Sequence, residues 1–289
     1  MQTLSNDKLT IEVAEHGAEL SSLKAHGKEY LWQADPAFWK RHSPVLFPIV
    51  GGVWENQYRL DGVTYNLSQH GFARDMEFTL VSQTETEVMY ELNATEDTLK
   101  KYPYNFKLNI GYRLEDNKVR VIWKVTNTDQ KEIFFQIGAH PAFYFPTYSE
   151  ETEDRGFFGF DKTDINYVRL AEKGCADPTV HYPVPVNEEG LLPLNTHTFD
   201  IDTFIIEDGQ VGEVTLYGLD KQPVLALQFT APLVGLWSPP GKNAPFVCIE
   251  PWYGRCDRAH YAGDYKQKDW IQQLPVGGVF DASYTIEIF

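Results

Sequence analysis

Apolar and polar residues alternate one by one over much of this chain, the repeat of a strand with one buried face. Leu9-Thr10-Ile11-Glu12-Val13 shows it near the start and 284–289 at the end. Asp61-Gly62, set between two alternating runs over 58–65, signals a tight hairpin. An antiparallel meander is expected over 9–32, with a turn at His26-Gly27. Further strands are predicted near 77–83, 86–93, 106–114, 118–126, 131–139, 213–217, 224–229, 233–237 and 246–250. Another begins over 202–206 with an acid at its mouth. The stretch 150–195 is polar, with scattered Gly and Pro, and signals its strands weakly.

Helical signals are few and short. Asp35-Pro36 starts one helical turn, with proline at the first helical position. A brief helix is expected over 95–102, stopped by Pro103, and another over 268–274, ended by Pro275. Strand follows strand with no sustained helical stripe, which excludes a βαβ architecture and predicts an all-β fold of antiparallel strands, a sandwich or a barrel. No repeat, low-complexity segment or linker interrupts the 289 residues, so one domain over 1–289 is expected.

Composition narrows the function. A net charge of -16 argues against nucleic acid or an anionic membrane as the main partner, since both need a basic footprint. The three cysteines, Cys175, Cys248 and Cys256, form no disulfide framework and read as reduced thiols of a cytoplasmic protein. No signal peptide and no apolar run of membrane-spanning length is evident. No pair of histidines or cysteines has metal-site spacing, so no structural zinc is expected. Aromatic residues make up 14% of the chain, and besides filling a core they supply flat faces that stack on sugar rings.

Two places carry the candidate chemistry. Gly138-Ala139-His140-Pro141 ends one strand and Ile249-Glu250-Pro251-Trp252 ends another. A residue before proline is held extended, and proline cannot donate to a ladder, so both residues are expected where pairing stops. Phe134, Gln136, Gly138 and His140 share one strand face, and a polar Gln and a bare Gly beside the histidine suggest a ligand-lined face. Phe246, Cys248 and Glu250 share another, and Trp252 offers a stacking surface two positions on. In Gln69-His70-Gly71-Phe72-Ala73-Arg74, Gly71 permits a tight bend that brings His70 and Arg74 towards one pocket.

These three segments, in this order, resemble the aldose 1-epimerase (galactose mutarotase-like) family. The chain looks closest to its LacX-type branch and is similar to hexose-6-phosphate epimerases. Val45-Leu46-Phe47-Pro48-Ile49-Val50-Gly51 and Glu29-Tyr30-Leu31-Trp32 fit the same branch. The resemblance implies a large antiparallel β-sandwich, the supersandwich of that family, and cofactor-free exchange of α and β anomers of a hexose, phosphorylated or not. It implies Glu250 as base at the C1 hydroxyl, His140 as acid at the ring oxygen, and His70 beside that oxygen. It implies Arg74 and Asp202 as sugar contacts, with Asp200 an alternative to Asp202. One departure stands out: relatives often carry an arginine after the Phe-Pro-Ile-Val-Gly run, where this chain has Gly52.

Two other functions compete. A non-catalytic sugar-binding domain would keep the cleft without the turnover. A glycoside hydrolase would need two carboxylates flanking the bond, and only Glu250 is well placed, with Asp202 a poor second.

Overall fold

A computed structural model describes residues 1–289. It is built almost wholly of antiparallel strands, arranged mainly as a nine-stranded and an eight-stranded sheet. The architecture is the large antiparallel β-sandwich that the sequence predicts. The nine-stranded sheet contains the long hairpin Phe106–Glu115 and Lys118–Asn127, turned at Asp116-Asn117. The strand Val279–Ile288 pairs with its outer side and continues the sheet to Pro223–Phe229. In Lys118–Asn127 the residues Val119, Val121, Trp123 and Val125 are buried and their neighbours are not, as the sequence alternation requires. The predicted meander is present as a four-stranded sheet, and the Asp61-Gly62 hairpin joins Gln57–Leu60 to Val63–Asn66. The brief helix is Glu96–Leu99, capped by Thr95 and Thr98.

The eight-stranded sheet carries the site. The strand Phe246–Tyr253 lies inside it, between Leu233–Trp237 on one side and Ile137–Ala139 with Ala142–Tyr144 on the other. Both its faces are buried, for two different reasons. Val247 and Ile249 join the main core, whereas Phe246, Cys248, Glu250 and Trp252 point to the opposite side. A strand covered on both faces reads as a continuous apolar run, so a carboxylate within one stands out.

Several expectations need correction. Glu250 is not at a strand end: the strand runs on through Pro251 to Tyr253, with Glu250 opposite Gly235 and Trp252 opposite Leu233. The interruption is on the other side, where pairing stops between Ala139 and Ala142, across from Glu250 and Pro251. The expected strand over 131–139 is two strands, Ile133–Phe135 and Ile137–Ala139, because the Gln136 N–H donates to the Pro48 carbonyl. No helix forms over 268–274. Lys268 and Asp269 are drawn to different ionic partners, and the chain then enters the strand Gln272–Leu274, paired to Ile133–Phe135. The weakly signalled stretch holds the strands Asp154–Phe160, Asn166–Leu170, Ala176–Pro183 and Leu192–Asn195. No helix is long and apolar enough to cross a membrane.

Candidate functional site

A cavity of about 280 Å³ opens on the outer face of the eight-stranded sheet, and His140 and Glu250 meet on its wall. That volume is near the roughly 300 Å³ lower end of small-ligand pockets, the scale of one sugar ring rather than an oligosaccharide. The two X-Pro steps explain the meeting. His140-Pro141 lies in the gap between two short strands that both pair with Phe246–Tyr253, and Glu250-Pro251 lies opposite that gap. The imidazole is therefore free of a ladder that would fix it elsewhere, while the carboxylate is fixed by one.

His140 Nε2 is 3.3 Å from Glu250 Oε2, within ion-pair range. The angle makes no hydrogen bond, however, and both Glu250 Oε2 and His140 Nδ1 are buried without a partner. Such groups are uncommon in a folded interior, where most buried polar atoms are paired. Trp39 stacks on the His140 ring at 4.7 Å, and Trp237 meets it edge-on at 5.4 Å. Burial pushes the His140 imidazole down to about 3, helped by the nearby Arg74 charge. Burial also drives the Glu250 carboxyl well above the usual carboxylate range, and the Asp202 charge adds to it. Both shifts favour the neutral side chains, a protonated carboxyl beside an uncharged imidazole.

His70 is held by its own turn. Its backbone φ is 65°, followed by Gly71 at 70°, where any Cβ would collide with the Phe47 carbonyl. The His70 N–H donates to the Gly51 carbonyl at 2.8 Å, and the Gly51 N–H donates to His70 Nδ1 at 3.0 Å. An Nδ1 that accepts leaves the proton on Nε2, so this bond assigns the tautomer and makes His70 a donor. Burial, first, and the neighbouring His140 keep this imidazole neutral, well below its ordinary value. The two rings meet at 5.5 Å, edge to face.

Arg74 and Asp202 also line the cavity. Arg74 donates from Nη2 to the Gln69 carbonyl, its buried Nε makes no hydrogen bond but stands 3.7 Å from the Asp75 carboxylate, and burial lowers it to about 10. Asp75, beside it, is held by Arg41 at 2.8 Å. Asp202 accepts a hydrogen bond from the Thr203 hydroxyl at 2.8 Å. Asp200 points elsewhere, on His197 at the surface, so Asp202 is the acid the fold delivers. Trp252 forms wall: its indole N–H donates to the Ala139 carbonyl, and its ring lies over Gly138 and Gly235, where a Cβ at either position would strike it. The bare Gly138 is thus bare for the tryptophan, not for a ligand.

Gln136 does not reach the cavity. It is fully buried, its Oε1 accepting from the Val50 N–H and its Nε2 donating to the Asp269 carbonyl. It shares a strand face with His140, but the loop that returns over that face claims its amide. Gly52 faces open space, with nothing within 4 Å of where its Cβ would stand. Residues the sequence reading missed are Trp39, Trp237 and Thr203 in the wall, and Cys248 behind the pair. Cys248 alone carried a signal, its place two residues before Glu250 on the same face.

Comparison with known proteins finds similarity along almost the whole chain. A family model for aldose 1-epimerase matches residues 1–276. The chain is 32% identical over 295 residues to the chromosomal protein LacX of Lactococcus lactis subsp. lactis, covering 99% of this chain and 98% of that one. A crystal structure of a galactose mutarotase-like protein from Lactobacillus casei superposes with a TM-score of 0.94, at 31% identity and with 100% of both chains covered. A galactose mutarotase related enzyme from Lactobacillus acidophilus gives a TM-score of 0.91 at 31% identity, covering 100% of this chain and 97% of that one.

Proposed function

Since the chain belongs to the aldose 1-epimerase family, we propose that it interconverts the α and β anomers of a hexose, with Glu250 as base and His140 as acid. The observation that carries this reading is the 3.3 Å approach of two buried, hydrogen-bond-deficient proton-transfer groups on the wall of a sugar-sized cavity.

Anomer exchange requires the C1 hydroxyl to lose a proton while the ring oxygen gains one. A sugar hydroxyl donating to Glu250 favours the carboxylate, which moves the pair's single proton to His140. Glu250 then takes the proton from the C1 hydroxyl, the C1–O double bond forms, and the bond from C1 to the ring oxygen breaks. His140 delivers its proton to that oxygen. The pair ends as a carboxylic acid and a neutral imidazole, the charge state its burial favours, so ring opening removes two desolvated charges. Rotation about C1–C2 and the reverse transfers close the other anomer, and no proton is gained or lost overall.

His70 supports the step by donating from Nε2 at the ring oxygen side, while Asp202 and Arg74 engage the remaining hydroxyls. The aromatic wall of Trp39, Trp237 and Trp252 fits the apolar face of a pyranose. Polarimetry with fresh α-glucose and α-galactose tests the reading. Glu250→Gln and His140→Asn are each expected to lower the rate by about 10²–10⁴-fold, the range for positioned proton transfer. Equal slow equilibration by wild type and Glu250→Gln would end it. A second reading, sugar binding without turnover, is favoured by Gly52, which leaves a family contact unmade; calorimetric binding with no rate enhancement would support that one instead.

A further inference from the structure

Behind the His140–Glu250 pair lies a third group that anomer exchange does not use. Cys248 lies two residues before Glu250 on the same strand face, and one donor atom from each of His140, Cys248 and Glu250 falls within 4.8 Å of the other two. All three side chains are buried, and Glu250 Oε2, on a residue only 1% exposed, has no hydrogen-bond partner. We propose that these three side chains form an inhibitory site for Zn²⁺ or another thiophilic divalent cation, entered from the sugar cavity.

The chemistry fits on three counts. First, thiolate, imidazole and carboxylate are the zinc ligand types, with bonds of about 2.0–2.3 Å, so donors around one tetrahedral ion stand roughly 3.3–3.8 Å apart. His140 Nε2 and Glu250 Oε2 already stand at 3.3 Å, and the Cys248 sulfur lies within 4.8 Å of a donor atom on each. Second, charge balances. One Zn²⁺ with a thiolate, a carboxylate and a neutral imidazole is electroneutral, so the buried cluster gains no net charge. Binding expels two protons, one from the Cys248 thiol and the one held by the pair. Third, His140 and Glu250 line the cavity, which leaves the fourth ligand position for a water on that side.

The metal is not a cofactor in this arrangement. It takes the lone pairs that the proposed proton transfers require, and so competes with the sugar. That inhibition rests on the function proposed above, but occupancy of the site does not.

Two measurements test the two parts separately. Titrating the whole chain with Co²⁺ reads the site without reference to turnover. Wild type is expected to show a thiolate-to-cobalt charge-transfer band and tetrahedral d–d bands at one Co²⁺ per chain, displaced by Zn²⁺. Cys248→Ala is expected to lack the charge-transfer band, as is Cys248→Ser, a second variant that keeps the side-chain volume. Polarimetry then reads the consequence: Zn²⁺ inhibits wild type, and the Cys248 variants, with basal rates unchanged, need about tenfold more Zn²⁺ or beyond. A Co²⁺ spectrum without the thiolate band, or with one that survives in both Cys248 variants because Cys256 or Cys175 supplies it, overturns the site. Equal Zn²⁺ inhibition of wild type and both variants overturns the inhibition. A protein that binds Co²⁺ as expected yet fails to exchange anomers would instead count against the proposed function.

Discussion

Two sets of charged side chains, each built around buried members, are finished to different degrees. In one, Arg255 bonds Glu207 and Asp269, Arg258 bonds Asp269 at 2.7 and 2.8 Å, and Lys268 bonds Asp257 at 2.6 Å. Trp270 donates to Glu207, and Asp257 accepts from the Trp54 N–H while its own N–H donates to the Gly52 carbonyl. Every charge in this set has an opposite. In the other set, His140 and Glu250 touch, yet each keeps an atom without a hydrogen bond. A buried group left unsatisfied costs about 1–3 kcal/mol, and such a deficit persists where a ligand completes it. The finished set holds the loop that braces Gly51, and through Gly51 it fixes the tautomer of His70. The unfinished set is where chemistry is proposed.

The contrast is easiest to break by removing one partner from the finished set. Lys268→Met strands the Asp257 carboxylate in the interior and is expected to lower stability by about 3–5 kcal/mol, the usual penalty for halving a buried ion pair. Urea unfolding measures it, and an unmoved midpoint would erase the distinction between the sets.

The opposite sign is expected at the cavity. Glu250→Gln should raise stability at pH 8 by about 1–3 kcal/mol by removing an unsatisfied acid, which thermal unfolding reads as about 2–4 °C per kcal/mol. The folded carboxyl titrates above its unfolded counterpart, so its protonated form confers stability that is fully present below the ordinary glutamate value. That contribution is lost as pH rises towards the raised folded value. Glutamine has no such loss, and the advantage of the variant should therefore grow with pH and shrink towards pH 4. A constant difference would show that the carboxyl is not strained by burial.

The smallest effect belongs to a pair in neither set. Arg113 and Glu87 meet at 2.6 Å on the exposed nine-stranded sheet, 42% and 33% exposed. Arg113→Ala is expected to lower stability by only about 0.2–1 kcal/mol, and less in high salt, because water screens the pair. A loss as large as that of Lys268→Met would mean that burial, not pairing alone, has been misjudged as the source of the contrast.

Local rules made much of this legible in the sequence. The Asp61-Gly62 hairpin, the alternation in Lys118–Asn127 and the one-turn punctuation at Asp35-Pro36 follow from backbone preference and pattern, and they hold in three dimensions. His140 and Glu250 were visible because each precedes a proline, although for Glu250 the reason given was incomplete: its strand continues, and only the facing chain breaks. What escaped was decided by distant parts of the chain. Gln136 is claimed by Val50 and Asp269, Gly138 is roofed by Trp252, and 268–274 is pulled out of a helix by the ion pairs of Lys268 and Asp269. Neither periodicity nor propensity carries information about which side chain from another segment will claim a residue. Trp39 is the plainest case, a residue of a surface turn whose ring ends against an imidazole a hundred positions later.

That last placement gives the protein an optical voice. Three of its seven tryptophans, Trp39, Trp237 and Trp252, wall the same cavity, and one is in stacking contact with the ring expected to carry the transferred proton. Imidazolium quenches indole emission far more strongly than imidazole does. Occupancy and proton position should therefore be readable together, in the intensity and colour of light from a chain that needs no label.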